Sequence, residues 1–378
     1  MKAYIKLWGT ILIVAILLSC KKDSTPINGN EDITIEIDKN FIHFSAGIQT
    51  KGVMIEDKNL LNRDFAVLGY QYRSDDWTTA EIKATPNVFY NAAGNLNIPQ
   101  IIEYDEVDKI YTYSPIQAWT GNLYSFFGYY PCNNTNVKLY GGDTQTLRAG
   151  TPYITYSLPS LTDPTKMIDL MTAAKIDTKF GEEEEVVMRM YHRLSALDIG
   201  IHNYSEYKLN DEEEPRTVQV EITGYTLKLN VAESAKFYLD RNKPTEIIKS
   251  GPATGYNLNV TVSNKSYKVG PTGDNVSLIT GSTDDTTLLL IPQNSHLTGT
   301  IQLTYKKKYQ DGEDSWIPIY SEAGKELFQS ENIPINFSTT LTEGRHYYID
   351  IIFTSSAITV QGTVSNEWTY NKVTHEFE

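Results

Sequence analysis

Residues 186–201 read VVMRMYHRLSALDIGI, and this stretch decides the fold. Its apolar side chains fall mainly on the even-numbered positions from Val186 to Ala196 and then on the odd-numbered positions from Leu197 to Ile201. An alternation with a period of two is typical of a strand with one buried face. Because the phase reverses, the stretch predicts either a β-bulge or a strand that crosses from one sheet to another.

Short alternating runs recur along most of the chain and are separated by turn clusters. The composition favours strands as well, with 26 Tyr, 12 Phe and 5 Trp. The sequence therefore predicts an all-β protein built from β-sandwiches. The further strands are predicted at 33–37, 41–46, 65–70, 109–113, 119–131, 218–229, 257–262, 275–280, 286–292, 299–306, 333–338, 346–354 and from 358 onward.

A polar, acidic segment at 203–216 interrupts the alternation and ends in DEEEPR. We place a domain boundary there, which divides the chain into an N-terminal domain at 33–205 and a C-terminal domain at 206–378.

Two segments have a pattern that fits a strand less well. Residues 164–175, PTKMIDLMTAAK, predict a helix or an irregular loop, and residues 320–329 predict a helical turn.

The chain begins with an export signal. Lys2 and Lys6 precede the apolar run of residues 7–18, and Leu-Leu-Ser-Cys20 follows. The run is shorter than the roughly 20 apolar residues that a membrane-spanning helix needs. We interpret 1–19 as a lipoprotein signal peptide, Cys20 as the lipid attachment site and 20–32 as a flexible tether. A plain secretory signal or a short anchor helix is the alternative.

Charge limits the partners of this protein. The formal net charge is −14 and the isoelectric point is about 5.0, which argues against nucleic acid as a partner. Attraction to an anionic membrane would also be weak, so membrane attachment would depend on lipid. If Cys20 carries lipid, Cys132 has no partner for an internal disulfide.

No catalytic motif stands out in the sequence. It contains no G-x-S-x-G elbow, no phosphate-binding loop and no H-E-x-x-H zinc motif, so we expect no enzyme activity, no metal site and no cofactor. His192 lies on the apolar face of the deciding strand and is interpreted as a core histidine. The acidic run Glu182–Glu185 is interpreted as a solvated loop.

Aromatic side chains allow two interpretations. Exposed rings on a β-sandwich can bind carbohydrate, whereas alternating rings in strands usually pack in the core. The residues in question are Trp77, Trp119, Tyr124, Phe126, Tyr129 and Tyr130.

Several motifs, taken in order over residues 20–368, resemble the fimbrillin family of Bacteroidales and its fimbrillin-like surface lipoproteins. They are Leu17-Leu18-Ser19-Cys20, Trp119-x-Gly121-x-x-Tyr124, Phe126-Phe127-Gly128-Tyr129-Tyr130-Pro131, Asp169–Ala173, Met190–Leu197, Leu289–Gln293 and Glu343-Gly344-x-x-Tyr347-x-Ile349-x-Ile351.

The resemblance implies two tandem transthyretin-like (Ig-like Greek-key) β-sandwich domains and a non-enzymatic role in adhesion. It implies export as an acylated precursor, with palmitate on Cys20, to the exposed face of the cell outer membrane. The implied partners are other fimbrial subunits and a host or glycan receptor. In pilus-forming members an Arg-specific protease removes the first strand, and a strand from the C-terminal region of a neighbouring subunit fills the open groove.

Arg63 is the first arginine after Cys20, so it is the candidate processing site. A cut there would release 20–63, including the predicted strands 33–37 and 41–46, and would leave a fimbrium subunit. Without the cut, Cys20 would remain a permanent anchor. Residues 358–378 are either the donor strand or the last strand of the second domain with a polar tail. The alternative function is a monomeric surface lipoprotein that binds carbohydrate or host ligands through exposed aromatics.

Overall fold

The structure is a computed structural model. It describes residues 38–49, 61–73, 76–89, 98–143, 148–159, 167, 169–208, 214–248, 256–269, 276–277, 287–311, 315–319, 328–355 and 357–365. The signal peptide, Cys20, the tether and the predicted strand 33–37 lie outside the described residues, as does most of the predicted helical turn 320–329.

The described chain is nearly all β. Its first strands are β1 (Phe44–Gln49), β2 (Phe65–Tyr72), β3 (Gln100–Asp105), β4 (Ile110–Thr112), β5 (Leu123–Tyr130), β6 (Val137–Leu139), β7 (Tyr153–Ser157), β8 (Met171–Thr178), β9 (Val186–His192), β10 (Ser195–Tyr204) and β11 (Glu206–Tyr207). The remaining strands are β12 (Arg216–Val231), β13 (Ser234–Tyr238), β14 (Glu246–Ile248), β15 (Tyr256–Val269), β16 (Val276–Ser277), β17 (Leu288–Leu290), β18 (Gln293–Gln310), β19 (Trp316–Pro318), β20 (Phe328–Leu341), β21 (His346–Thr354) and β22 (Ile358–Ser365). A short helix, α1 (Trp77–Ala80), and a 3-10 turn (Tyr140–Gly142) interrupt them.

The strands form four sheets. Sheet I has the order β1-β9-β8-β5-β2-β3-β4, and sheet II has the order β14-β13-β7-β6. Sheet III has the order β16-β10-β21-β22 with β17 also on β10, and sheet IV has the order β11-β12-β18-β19 with β15 on β12 and β20 on β18. A large buried cluster contains apolar side chains from all four sheets. A second cluster covers the other face of sheet I.

The deciding stretch crosses between two sheets, as its change of phase predicts. Its first part is β9 in sheet I, and its second part is β10 in sheet III. Val186 and Met188 of β9 and Leu197 and Ile199 of β10 are all at most 1% exposed. The reversal of phase therefore marks the point where the chain leaves one sheet and enters the next.

Arg193 occupies this crossing point and is fully buried. Its guanidinium donates to both carboxylate oxygens of Glu343, at 2.9 Å from Nε and 3.3 Å from Nη2. It also donates from Nη1 to the Thr172 hydroxyl at 2.7 Å and to the Tyr238 carbonyl at 2.5 Å. These partners come from β8, from β13 and from the turn between β20 and β21, so one cation ties three parts of the fold to the crossing.

His192, next to Arg193, is a core histidine, as interpreted from the sequence. It is 5% exposed, and its Nδ1 contacts the Asp169 carboxylate. The prediction of a helix or loop at 164–175 is wrong for its last five residues, because 171–175 belong to strand β8. That strand is held between β5 and β9 in sheet I.

Four pairs of described strands connect the predicted domains, and two of them join β10 to β16 and β10 to β17. β10 pairs in parallel with β21, from Ala196 opposite His346 to Tyr204 opposite Thr354. β7 pairs with β13, which places Tyr153 opposite Tyr238. Each pair joins a strand before residue 205 to one after residue 206, so the two halves of the chain share sheets. The division into 33–205 and 206–378 stays a prediction.

Replacing Gly299 with Ala is expected to destabilise sheet IV. Gly299 lies on β18 opposite Leu229 of β12, and a Cβ there would clash with the Lys228 carbonyl oxygen. We expect Gly299→Ala to lower the free energy of unfolding by about 1–3 kcal/mol in denaturant titration. Gly121→Ala is the control, because no atom lies within 4 Å of its Cβ position. Equal losses in the two variants would contradict this assignment.

Candidate processing site and strand groove

Arg63 lies on the surface immediately before β2. Its side chain is exposed, and its Nη1 donates to the Asn62 carbonyl at 3.0 Å. Asn62 has a φ of 42°, in the left-handed region that non-glycine residues rarely adopt. The chain therefore turns sharply just before the candidate site and presents the arginine side chain to solvent.

Asp64, on the other side of the candidate bond, is fixed to the fold. Its Oδ1 accepts from the Tyr104 backbone N–H at 2.9 Å. Its carbonyl accepts from the Cys132 thiol at 3.5 Å, and burial raises the pKa of that thiol. The bond between residues 63 and 64 thus joins an exposed residue to an anchored one, and a cut there would leave β2 and its neighbours attached to the fold.

β1 is an edge strand of sheet I. It pairs in parallel with β9, from Phe44 opposite Val186 to Gln49 opposite Tyr191. Residues just before β1 are held on their other side by the segment 117–119, where the Ile42 N–H donates to the Gln117 carbonyl at 2.9 Å. The segment 38–49 therefore fills a slot between β9 and residues 117–119.

Several side chains of this segment are deeply buried. Ile42 and Ala46 are 0% exposed and Phe44 is 3% exposed. The Phe44 ring meets Phe89 and Phe126 edge to face, with centroid distances of 5.1 Å and 5.4 Å. Without 38–49 these apolar surfaces and the edge of β9 would face solvent. We call this slot the strand groove.

Tyr113 closes one side of the strand groove. Its hydroxyl donates to the Ile42 carbonyl at 2.6 Å, and its ring lies 5.8 Å from that of Phe44. Burial raises the pKa of Tyr113 to about 12, so the hydroxyl keeps its proton and remains a donor at neutral pH. Any strand that occupies the groove would find a donor for its carbonyl group here.

The aromatic residues proposed for carbohydrate binding pack in the core. Trp77, Tyr124, Phe126 and Tyr129 are at most 5% exposed. Trp119 and Tyr130 are partly buried and pack against the cluster around the strand groove. The interpretation of these rings as an exposed sugar-binding surface is therefore wrong for the four buried rings, because they pack against other core side chains.

At the other end of the described chain, β22 is an edge strand of sheet III and pairs with β21. Ile358 and Val360 are half-buried, and Val364 is 39% exposed. The first part of the predicted segment 358–378 is thus the last strand of its own sheet. Residues 366–378 lie outside the described residues.

Within the described residues, no cluster of three His, Cys, Asp or Glu side chains could hold a metal ion. No helix among them is long and apolar enough to cross a membrane.

The sequence did not predict the strand groove between β9 and residues 117–119, because the alternation within one segment does not show which strand will lie beside it.

Comparison with known proteins gives a family match and a fold match. A family described as fimbrillin-like matches residues 77–368. A crystal structure of a fimbrial protein from Bacteroides vulgatus ATCC 8482 is 17% identical, covers 87% of this chain and 99% of its own, and superposes with a TM-score of 0.61. This similarity shows a shared fold.

Two candidate cell adhesion proteins are more distant. That of Bacteroides uniformis ATCC 8492 is 16% identical with a TM-score of 0.43, covering 88% of this chain and 100% of its own. That of Bacteroides ovatus ATCC 8483 is 13% identical with a TM-score of 0.47, covering 88% and 99%. Among curated proteins, none shows significant sequence similarity to the chain.

Proposed function

The chain belongs to the fimbrillin-like family, and from this premise we propose that it is a non-enzymatic fimbrial subunit that assembles by exchange of β-strands. In this proposal Cys20 carries the lipid that delivers the precursor to the outer membrane, and two tandem transthyretin-like sandwiches form the mature subunit. A cut at Arg63 converts the anchored precursor into a subunit with an open groove.

The observation that carries the proposal is the position of β1 relative to Arg63. β1 is the strand that the structure describes between residues 38 and 63, and it is an edge strand whose apolar face is buried at Phe44 and Ala46 and partly buried at Ile48. A cut at Arg63 would disconnect this strand without cutting any other described strand. The exposed groove would then be a strong acceptor, since each apolar side chain that enters it contributes roughly 1.5–3 kcal/mol.

The C-terminal strand carries a matching pattern. Residues 42–48 read IHFSAGI, and residues 358–364 read ITVQGTV. The alternate residues of the first segment are Ile42, Phe44, Ala46 and Ile48, and those of the second are Ile358, Val360, Gly362 and Val364. Read from the N-terminus, both segments therefore have the order large, large, small, large. Because β22 is an edge strand with half-exposed side chains, its transfer into the groove of a neighbouring subunit would bury more apolar surface than it gives up.

The test is proteolysis of the purified precursor with an Arg-specific protease. We expect a new N-terminus at Asp64, loss of residues 20–63 and a ladder of oligomers on gels run without heating. Arg63→Ala should stay uncut at this site and monomeric. Arg73→Ala is the matched control, since Arg73 is an exposed arginine at the other end of β2.

Two results would contradict the proposal. One is a chain that remains intact under conditions that cut other exposed arginines. The other is a chain that is cut at Arg63 and stays monomeric at high concentration. The first result would favour a permanently anchored lipoprotein, and the second would exclude assembly through the strand groove.

A further inference from the structure

A cavity of about 360 Å³ lies far along the chain from the processing site, next to the crossing between β9 and β10. Residues 191–192, 241–245 and 342–344 form its walls. They belong to the end of β9, the loop between β13 and β14, and the turn between β20 and β21. Its volume falls at the lower end of the range for small-molecule sites.

Charges in the wall are mostly paired. Glu343 is bound to Arg193, as described above. Lys243 forms an ion pair with Glu81, with 2.6 Å between Nζ and Oε1. The exception is Arg241, which has no carboxylate partner among the residues that the structure describes. Arg241 therefore gives the wall a positive charge that forms no ion pair with a described carboxylate, on a protein whose net charge is −14.

Stacking orients this positive charge. The Arg241 guanidinium lies over the Tyr191 ring, 4.0 Å from its centroid. A guanidinium that stacks on an aromatic face keeps its N–H groups free in the plane for a bidentate contact with an anion. A single uncompensated cation matches a singly charged carboxylate better than a doubly charged phosphate, which would also meet repulsion from the nearby Glu343.

The rest of the wall suits hydroxyl groups. Asn242 and Thr342 supply an amide and a hydroxyl group that can donate and accept hydrogen bonds, whereas the Thr245 hydroxyl already donates to Glu343. Pro244 adds a compact apolar surface. We propose that this cavity binds an acidic monosaccharide unit, with its carboxylate on Arg241 and its hydroxyls on the polar wall. All the wall residues follow Arg63 in the chain, so the cut protein keeps them, although Tyr191 loses its strand partner Gln49 when β1 leaves.

D-glucuronate and D-glucose make a matched pair of probes, because they differ by the carboxylate at C6. We expect isothermal titration of the full chain to show millimolar binding of glucuronate and at least tenfold weaker binding of glucose. Acetate should also bind at least tenfold more weakly, because it lacks the hydroxyls. In Arg241→Gln the affinity for glucuronate should fall at least tenfold, with an unchanged melting temperature as the check on folding.

Arg189→Gln is the control, because Arg189 is an exposed arginine on the same strand as Tyr191 and lies outside the cavity wall. Its affinity for glucuronate should equal that of the original chain. The proposal is overturned if glucuronate binds no more tightly than glucose, if Arg241→Gln binds it unchanged, or if both arginine variants lose it equally. Acetate binding as tight as that of glucuronate would overturn the assignment of the sugar.

Discussion

Replacing Arg193 with Met is expected to lower the free energy of unfolding by about 3 kcal/mol, because buried acceptors lose their donor while the partly exposed Glu343 carboxylate keeps some contact with water. The side chain is 0% exposed, and it satisfies the Glu343 carboxylate, the Thr172 hydroxyl and the Tyr238 carbonyl together. Met has a similar length and an apolar end, so it fills the space and leaves those acceptors without their donor.

Chemical denaturation of the purified chain measures this loss, and Arg189→Met provides the control. Arg189 is exposed on the same strand, so its replacement should change the free energy of unfolding by at most about 0.5 kcal/mol. A loss below about 1 kcal/mol in Arg193→Met would mean that the crossing between the sheets does not depend on the ion pair.

Replacing Phe44 with Ala should have a similarly large effect, and this effect should depend on the cut at Arg63. In the intact chain the loss of a buried phenyl ring costs about 3–5 kcal/mol. In the cut chain, before a donor strand displaces it, β1 is held by non-covalent contacts alone, so the same loss appears as weaker retention of the fragment at low protein concentration. A loss of about 3 kcal/mol corresponds to more than a hundredfold weaker binding.

Size-exclusion chromatography of the cut protein checks this expectation, since it separates the fragment 20–63 from the remainder. Phe180→Ala is the control, because Phe180 is 52% exposed in the loop after β8. The Phe180 variant should retain the fragment as well as the original chain does. If Phe44→Ala retains it equally well, the aromatic contacts of Phe44 do not hold the strand in its groove.

Local alternation predicted many of the strands, but it missed β3, β6, β7, β13 and β14, and it did not show which strands would be neighbours. The change of phase within 186–201 predicted either a bulge or a crossing, and the structure shows the crossing, in which the strand turns its apolar face to a new core. β8 was missed because it lies inside sheet I, where both faces meet other residues and the alternation is lost. The apolar pattern of Met171 and its neighbours was therefore ambiguous between helix and strand.

Arg193 shows a second limit. Arg193 lies on the same polar face of the stretch 186–196 as Arg189 and Ser195. The alternation therefore predicts an exposed side chain at this position. The structure buries it because the strand ends there and the chain crosses into the next sheet. Its main partner, Glu343, is distant in sequence, and only the assembled fold brings the two together.

The parallel pairing of β10 with β21 has a consequence for the order of folding. Sheet III joins Ala196 to His346, so it cannot form until almost the whole chain is available. Pairing β10 with β21 closes a long loop and is therefore slow, and the unpaired strand edges favour aggregation before the pairing is complete. A chain is synthesised from its N-terminus, so β10 must remain without β21 until residues 346–354 have been made. The newly made chain therefore depends on being kept unaggregated until β21 can pair.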